Sequence, residues 1–286
     1  MEGGRGRYSI PHKAGCAWLN GGLLSSTNRW PLAVTLSHRK DPALEARARA
    51  AADDAGVPFI PRDEQVTLAQ MLATQAEALV IFEAESVRLL DSLGSLCFSP
   101  GMAHLRVMQL DRGVHEDMLL RTGGISPGER VLDCTLGLAG DAQVAARLVG
   151  PAGCVVALEK SVALYLVVRH GLVGLPSHPL SGPIQVHCAD AASFLAKQPA
   201  GAFDIILFDP MFARTRKSSA AFDTLRRHAD YSPLTERMVA DAQRVARRAV
   251  VIKGSRYSSD FKKLDIKPQT PRHNATILWA VLPGLG

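Results

Sequence analysis

The sequence contains no Cys-x-x-Cys pair, no apolar run of membrane-spanning length and no internal repeat. The first absence speaks against a zinc ribbon or a dithiol redox motif. The second argues against a helical membrane span, and the chain is expected to be soluble. The nucleotide-phosphate signature Gly-x-x-x-x-Gly-Lys-Ser/Thr is also missing, which speaks against a P-loop nucleotidase. The first residues lack the continuous apolar core of a secretory signal. Five cysteines remain, at Cys16, Cys97, Cys134, Cys154 and Cys188. They read as free thiols of a reducing compartment rather than as metal ligands, so a cytoplasmic protein without a bound metal is expected.

What is present is enough for a sizeable core, since 47% of 286 residues are hydrophobic. The net charge of +6 is unevenly spread, because residues 211–272 hold fifteen Lys and Arg against six Asp and Glu. That concentration points to a polyanionic partner, with a solvated helix face as the plainer reading.

Residues 1–30 show no sustained period and read as a disordered extension, although their basic, acid-poor composition also fits a targeting segment. Residues 31–110 read as a small α/β domain. It has a strand over 31–36, an Ala-rich helix over 42–52 capped by Asp41 with Pro42 in its first turn, and a short strand over 57–61. A helix over 68–76 and a strand pair over 78–82 and 87–90 follow. The Pro-Gly pair at 100–101 marks an ordered connection. His104 and Arg106 beyond it either dock the two domains or reach over the site.

From residue 111 onward strand and helix patterns alternate, with strands over 131–133, 154–158, 184–187, 205–208, 249–253 and 275–282. Such alternation argues for a parallel sheet with helices on both faces. The first of these strands ends in Asp133 and runs into a turn carrying Gly137 and Gly140, then Asp141. Glycines there let backbone N–H groups approach a ligand beside a helix N-terminus. The next strand ends in Glu159, followed by Lys160, where a carboxylate can take two ribose hydroxyls. Asp190 and Ala191 follow the third strand, and the fourth runs into Asp209, Pro210, Met211 and Phe212.

Together these residues resemble the class I S-adenosylmethionine-dependent methyltransferases. The resemblance covers residues 128–286 and implies a Rossmann-like, seven-stranded, mostly parallel sheet. It also implies S-adenosyl-L-methionine (SAM) as cofactor. By match of position, Asp133, Gly137, Gly140 and Asp141 would face the methionine part, Glu159 and Lys160 the ribose, and Asp190 and Ala191 the adenine. Asp209 would lie beside the transferred methyl.

In relatives that methylate amino nitrogens the tetrapeptide is usually Asp or Asn, Pro, Pro, aromatic; Met211 here replaces the second proline. Asp209 can accept a hydrogen bond from an amino group, Pro210 fixes the turn, and Phe212 either stacks on a base or packs in the core. With Arg214, Arg216 and Lys217 downstream and Lys253 closing a later strand, the pattern resembles the RsmJ family, which methylates guanine N2 of small-subunit (16S-type) ribosomal RNA. Its first motif reads Ala-Gly-Leu-Gly-Arg-Asp-Ala, against Leu136-Gly137-Leu138-Ala139-Gly140-Asp141-Ala142 here. The resemblance implies ribosomal RNA or the small ribosomal subunit as partner. Arg214, Arg216 and Lys217 would contact its backbone, whereas Lys253 is either a phosphate contact or a snorkelling surface lysine. A protein or small-molecule acceptor, or a noncatalytic RNA-binding protein of this fold, are the competing readings.

Overall fold

A computed structural model describes residues 29–37, 41–63, 65–114, 117–173, 184–210, 219–257, 260–269 and 275–286. The expected extension over 1–30 lies almost wholly outside them, as do Met211, Phe212, Arg214, Arg216 and Lys217.

The chain builds two sheets. The first joins β1 (Ala33–Leu36), β2 (Leu79–Phe82), β3 (Val87–Leu90) and β4 (Ser95–Cys97) in that order, with β1 parallel to β2 and the rest antiparallel. Helix α1 (Pro42–Ala55) starts on the Asp41 carboxylate, which accepts from the N–H groups of Ala43 and Leu44, and stops at Gly56 in the left-handed region. Helix α2 (Leu68–Thr74) opens on a capping box between Thr67 and Gln70. The strand expected over 57–61 shrinks to one bridge, Val34 to Phe59.

Helix α3 (Gly101–Asp111) occupies the stretch read as a connection. It leads through a π-turn at Leu119–Gly123 into the second sheet. There β5 (Arg130–Asp133) is followed by α4 (Gly140–Val149), β6 (Cys154–Glu159), α5 (Val162–Val173), β7 (Ile184–Cys188), α6 (Ala191–Lys197) and β8 (Phe203–Phe208). Helices α7 (Ala220–His228) and α8 (Glu236–Val245) precede β9 (Ala246–Ser255), and the short α9 (Asp260–Lys263) precedes β10 (Ile277–Pro283).

The strand order is β10-β9-β8-β5-β6-β7, all parallel except β10. Alternate residues feed opposite faces: Leu132, Ile206 and Val250 meet α6 and α8 on one side, while Val131, Ile205 and Val251 meet α4 on the other. The expected seven strands are therefore six among the described residues. At the seventh position only Gln269 bridges Trp279. Pro268 and Pro271 bracket that residue in the sequence, and a proline adds no N–H to a ladder.

Of the five cysteines, Cys97, Cys134 and Cys154 are free thiols, as expected, and Cys16 lies outside the described residues.

Helix α5 ties the two sheets together. Val162 to Val168 are all buried, and a helix apolar all round is a helix enclosed on all sides. Its Leu164 and Leu166 share one core with Val80, Phe82 and Leu89 of the small sheet. Leu164→Ala is expected to lower stability by about 2–5 kcal/mol and to shift the urea melting of both sheets together. A normal melt, or two separated transitions, contradicts the shared core.

Candidate active site

The order of the large sheet reverses between β5 and β8, and ligands of open α/β sheets bind beyond the strand C-termini at such a switch. A cleft opens there with ≈ 770 Å³ of empty space, its solvent-filled mouth included. Its wall is drawn from four strand ends: Cys134 and Thr135 after β5, Glu159 and Lys160 at β6, Asp190 and Ala191 after β7, and Asp209 and Pro210 after β8. Asp230, Ser232 and Met238 close the side between α7 and α8.

The floor is the turn after β5. Gly137 has φ 50°, and a Cβ on it would meet nothing nearer than the Thr135 carbonyl at 3.9 Å; one on Gly140 would meet nothing within 4 Å. Of the two, Gly137 lines the cleft and keeps backbone open toward it. Ala139 takes the left-handed conformation at φ 59°, which suits glycine and costs a residue with a Cβ about 1 kcal/mol.

Glu159 is buried and holds the turn in place, accepting from Gly137 N at 3.0 Å and from Ser161 N at 2.8 Å. Burial pushes its carboxyl up to about 7, against the pull of those N–H groups. Asp190 caps α6 through Ser193 N at 2.9 Å. Burial works to raise its carboxyl, but Ser193 and Lys160 outweigh that and hold it below the usual range. Lys160 spans the mouth, 3.4 Å from both Asp190 and Asp230 and 3.0 Å from the Ser232 hydroxyl.

Asp209 sits where β8 ends. Its N–H donates to Thr135 Oγ1 at 2.6 Å, fastening the Asp-Pro turn to the neighbouring strand. Lys253 Nζ on β9 lies 2.6 Å from Asp209 Oδ2 and 2.9 Å from Asp141 Oδ2. Arg106 of α3 grips the other oxygen of Asp141 at 2.6 Å and reaches Asp117 at 2.7 Å. Asp209 Oδ1 is buried and has no hydrogen-bond partner among the described residues. Burial raises the Asp209 carboxyl, and Lys253 holds that rise in check. Asp133 stands behind this network, 2% exposed, its carboxyl pushed up to about 7 by burial, with Asp141 and Asp209 adding to the effect.

All four carboxylates at the strand ends (Asp133, Glu159, Asp190 and Asp209) therefore stand at one rim. Glu159, Asp190 and Asp209 line the cleft; Asp133, Gly140 and Asp141 do not. Lys253 is inside the site, with its charge taken up by two carboxylates and its Nζ 5.3 Å from the Trp279 ring centre. Thr135, Asp230 and Ser232 were not foreseen, since nothing in their local spacing marks them.

A family model described as a putative SAM-dependent methyltransferase matches residues 65–274 of this chain. The protein belongs to the SAM-dependent methyltransferases. The uncharacterized protein YpiP of Bacillus subtilis (strain 168) is 32% identical to this methyltransferase over 236 residues, 80% of this chain and 91% of that protein. Ribosomal RNA small subunit methyltransferase J of Laribacter hongkongensis (strain HLHK9) is 39% identical over 108 residues, only 35% of this chain and 37% of that protein. The crystal structure of the SAM-dependent methyltransferase NGO1261 from Neisseria gonorrhoeae shares the fold. Its TM-score is 0.59 at 17% identity, covering 89% of this chain and 96% of that one.

Family and fold imply SAM as the cofactor of this methyltransferase. The residues present fit it, because Gly137 lines the cleft and the space beside its backbone is one a side chain would fill. No helix among the described residues is long and apolar enough to cross a membrane.

Two outcomes follow from the electrostatics of this methyltransferase's rim. An ionised Glu159 is the stronger acceptor for hydroxyl groups, and its carboxyl lies at about 7. SAM affinity by calorimetry should thus fall about tenfold between pH 8 and pH 6; a flat profile removes Glu159 from cofactor binding. Lys253→Met should cost about 3 kcal/mol in chemical denaturation, because it leaves Asp141 and Asp209 underpaired. Adding Asp141→Asn should recover part of that loss, and strictly additive losses would mean the pair is not coupled.

Proposed function

We propose that the protein transfers the methyl group of SAM to an exocyclic amino nitrogen of RNA, namely guanine N2 of small-subunit ribosomal RNA. The reading rests above all on Asp209. One of its oxygens is fixed by Lys253 and the other is buried without a partner among the described residues, on the wall of the cleft. A buried acceptor left unpaired is costly, and an amino N–H is the donor that suits it. The local likeness to ribosomal RNA small subunit methyltransferase J supports the choice of acceptor.

Bound in the cleft, SAM supplies an electrophilic methyl on a sulfonium. Asp209 Oδ1 accepts one N–H of the incoming amine and turns the nitrogen lone pair toward that methyl. On accepting the methyl group the amine nitrogen would have a proton to give up. Asp209, whose carboxyl burial has raised, holds it before release to solvent. Most of the rate gain comes from positioning, since the leaving group is already good.

In this reading Glu159 and Lys160 hold the ribose, Asp190 and Ala191 flank the adenine, and Gly137, Gly140, Asp133 and Asp141 shape the methionine side. Pro210 keeps the turn rigid and Phe212 stacks on the base. Arg214, Arg216 and Lys217 grip the RNA backbone. Residues 111–286 carry the transfer and residues 31–110 brace it, in a cytoplasmic protein that works on the small ribosomal subunit.

The test is incorporation of labelled methyl into small subunits from cells lacking the protein, followed by digestion to nucleosides. The label should appear as N2-methylguanosine, and Asp209→Asn should lower kcat about a hundredfold or more. Label in protein, or in another nucleoside, overturns the choice of acceptor.

A further inference from the structure

The basic stretch of the sequence divides into two classes in the fold. Four of its described cations up to Lys253 are taken up by carbonyls or carboxylates of the fold. Arg244 donates to the Leu195 and Gln198 carbonyls, Arg248 pairs with Glu129, Arg247 with Asp204, and Lys253 with Asp141 and Asp209. From residue 256 the pattern changes. Arg256, Lys262, Lys263 and Lys267 are exposed, and their side chains make no hydrogen bond or ion pair among the described residues. Tyr257 stands among them 73% exposed.

These groups share one small platform. Phe261 and Ile266 anchor α9 and the turn after it in the core beside Ile252 and Ala280. Phe261 lies so close over Gly254 that a Cβ there would come within 2.3 Å of its ring. The backbone of Arg256 is tied to Thr276 at 3.0 Å. With the apolar side chains turned in, the lysines on either side of them point to solvent.

The platform lies beyond the C-terminal end of β9, which runs parallel to β8, so it stands on the same rim as the cleft. Arg256 is three residues past Lys253, roughly 10 Å along an extended strand. The opposite flank of the cleft carries Asp190 and Asp230. The rim is thus acidic where a cationic cofactor would enter and basic on the side of β9.

On the RNA reading above, we propose that Arg256, Tyr257, Lys262, Lys263 and Lys267 form a docking surface for single-stranded RNA flanking the target nucleotide. Cations around an exposed aromatic ring suit a chain that alternates phosphate with a stackable base. An acidic protein offers the charge without the bases. The surface gives affinity and register rather than base identity.

The test uses the full chain and a fluorescently labelled single-stranded RNA oligonucleotide of mixed sequence, with binding followed over about 50 to 200 mM salt. Changing Arg256, Lys262, Lys263 and Lys267 together to Gln should make the slope of log affinity against log salt shallower by about 0.7 per cation removed. Tyr257→Ser should weaken binding about tenfold with little change of slope. Lys197→Gln, exposed at the far end of α6, should change neither, and retained SAM binding shows that each variant is folded. If the wild type binds RNA and the quadruple variant matches it in affinity and slope, the surface is wrong while the RNA reading stands. If the wild type binds polyglutamate and not RNA, the partner is an acidic protein and the proposal fails. If it binds neither, the proposal and the RNA reading fall together.

Discussion

The structure depends on how one rim tolerates a crowd of carboxylates. Asp141 and Asp209 stand close enough to Asp133 to raise its affinity for protons, and Asp141 does the same to Asp209, while Asp133 and Asp141 are buried. Unpaired charges in such a place are unstable. Lys253, reaching in from β9, bridges Asp141 to Asp209, and Arg106 completes the other side of Asp141. The first turn of α4, the Asp-Pro turn and helix α3 are thereby joined in one network. Removing its central lysine would leave like charges facing one another in a poorly solvated site.

That network explains why the cleft looks as it does. Three of its walls are fixed by backbone hydrogen bonds to carboxylates or hydroxyls: Glu159 to Gly137, Asp190 to Ser193, and Thr135 to Asp209. The fourth is Lys160, shared among Asp190, Asp230 and Ser232. A preformed pocket of this kind needs little rearrangement to accept a ligand, which lowers the entropic cost of binding. Among the described residues that line the cleft, the buried side-chain atom left without a hydrogen bond is Asp209 Oδ1.

Much of this was legible in the sequence because parallel strands write their ends plainly. Apolar runs stopping at Asp133, Glu159 and just before Asp209 gave the strands and the side on which the site lies. Asp41 with Pro42 announced α1. Other features were hidden for physical reasons. The Pro100-Gly101 pair reads as a turn, yet a proline is equally at home at a helix start, and α3 follows it. Lys253 could not be separated from a surface lysine, since its partners Asp141 and Asp209 lie 112 and 44 residues away. The basic stretch looked uniform, and only the fold sorts Arg244 and Arg248, spent on carbonyls and Glu129, from the unpaired Lys262 and Lys263. Among the described residues the expected seventh strand is one bridge at Gln269, which prolines bracket in the sequence.

The central claim is that this rim receives the cofactor and presents Asp209 to the acceptor. A crystal structure with S-adenosylhomocysteine tests it most directly. The account predicts ribose hydroxyls on Glu159, the adenine beside Asp190, and Asp209 Oδ1 facing the thioether sulfur across the space left for the acceptor. Density outside the cleft, or a ligand in it with Asp209 turned away behind Lys253, would contradict the account.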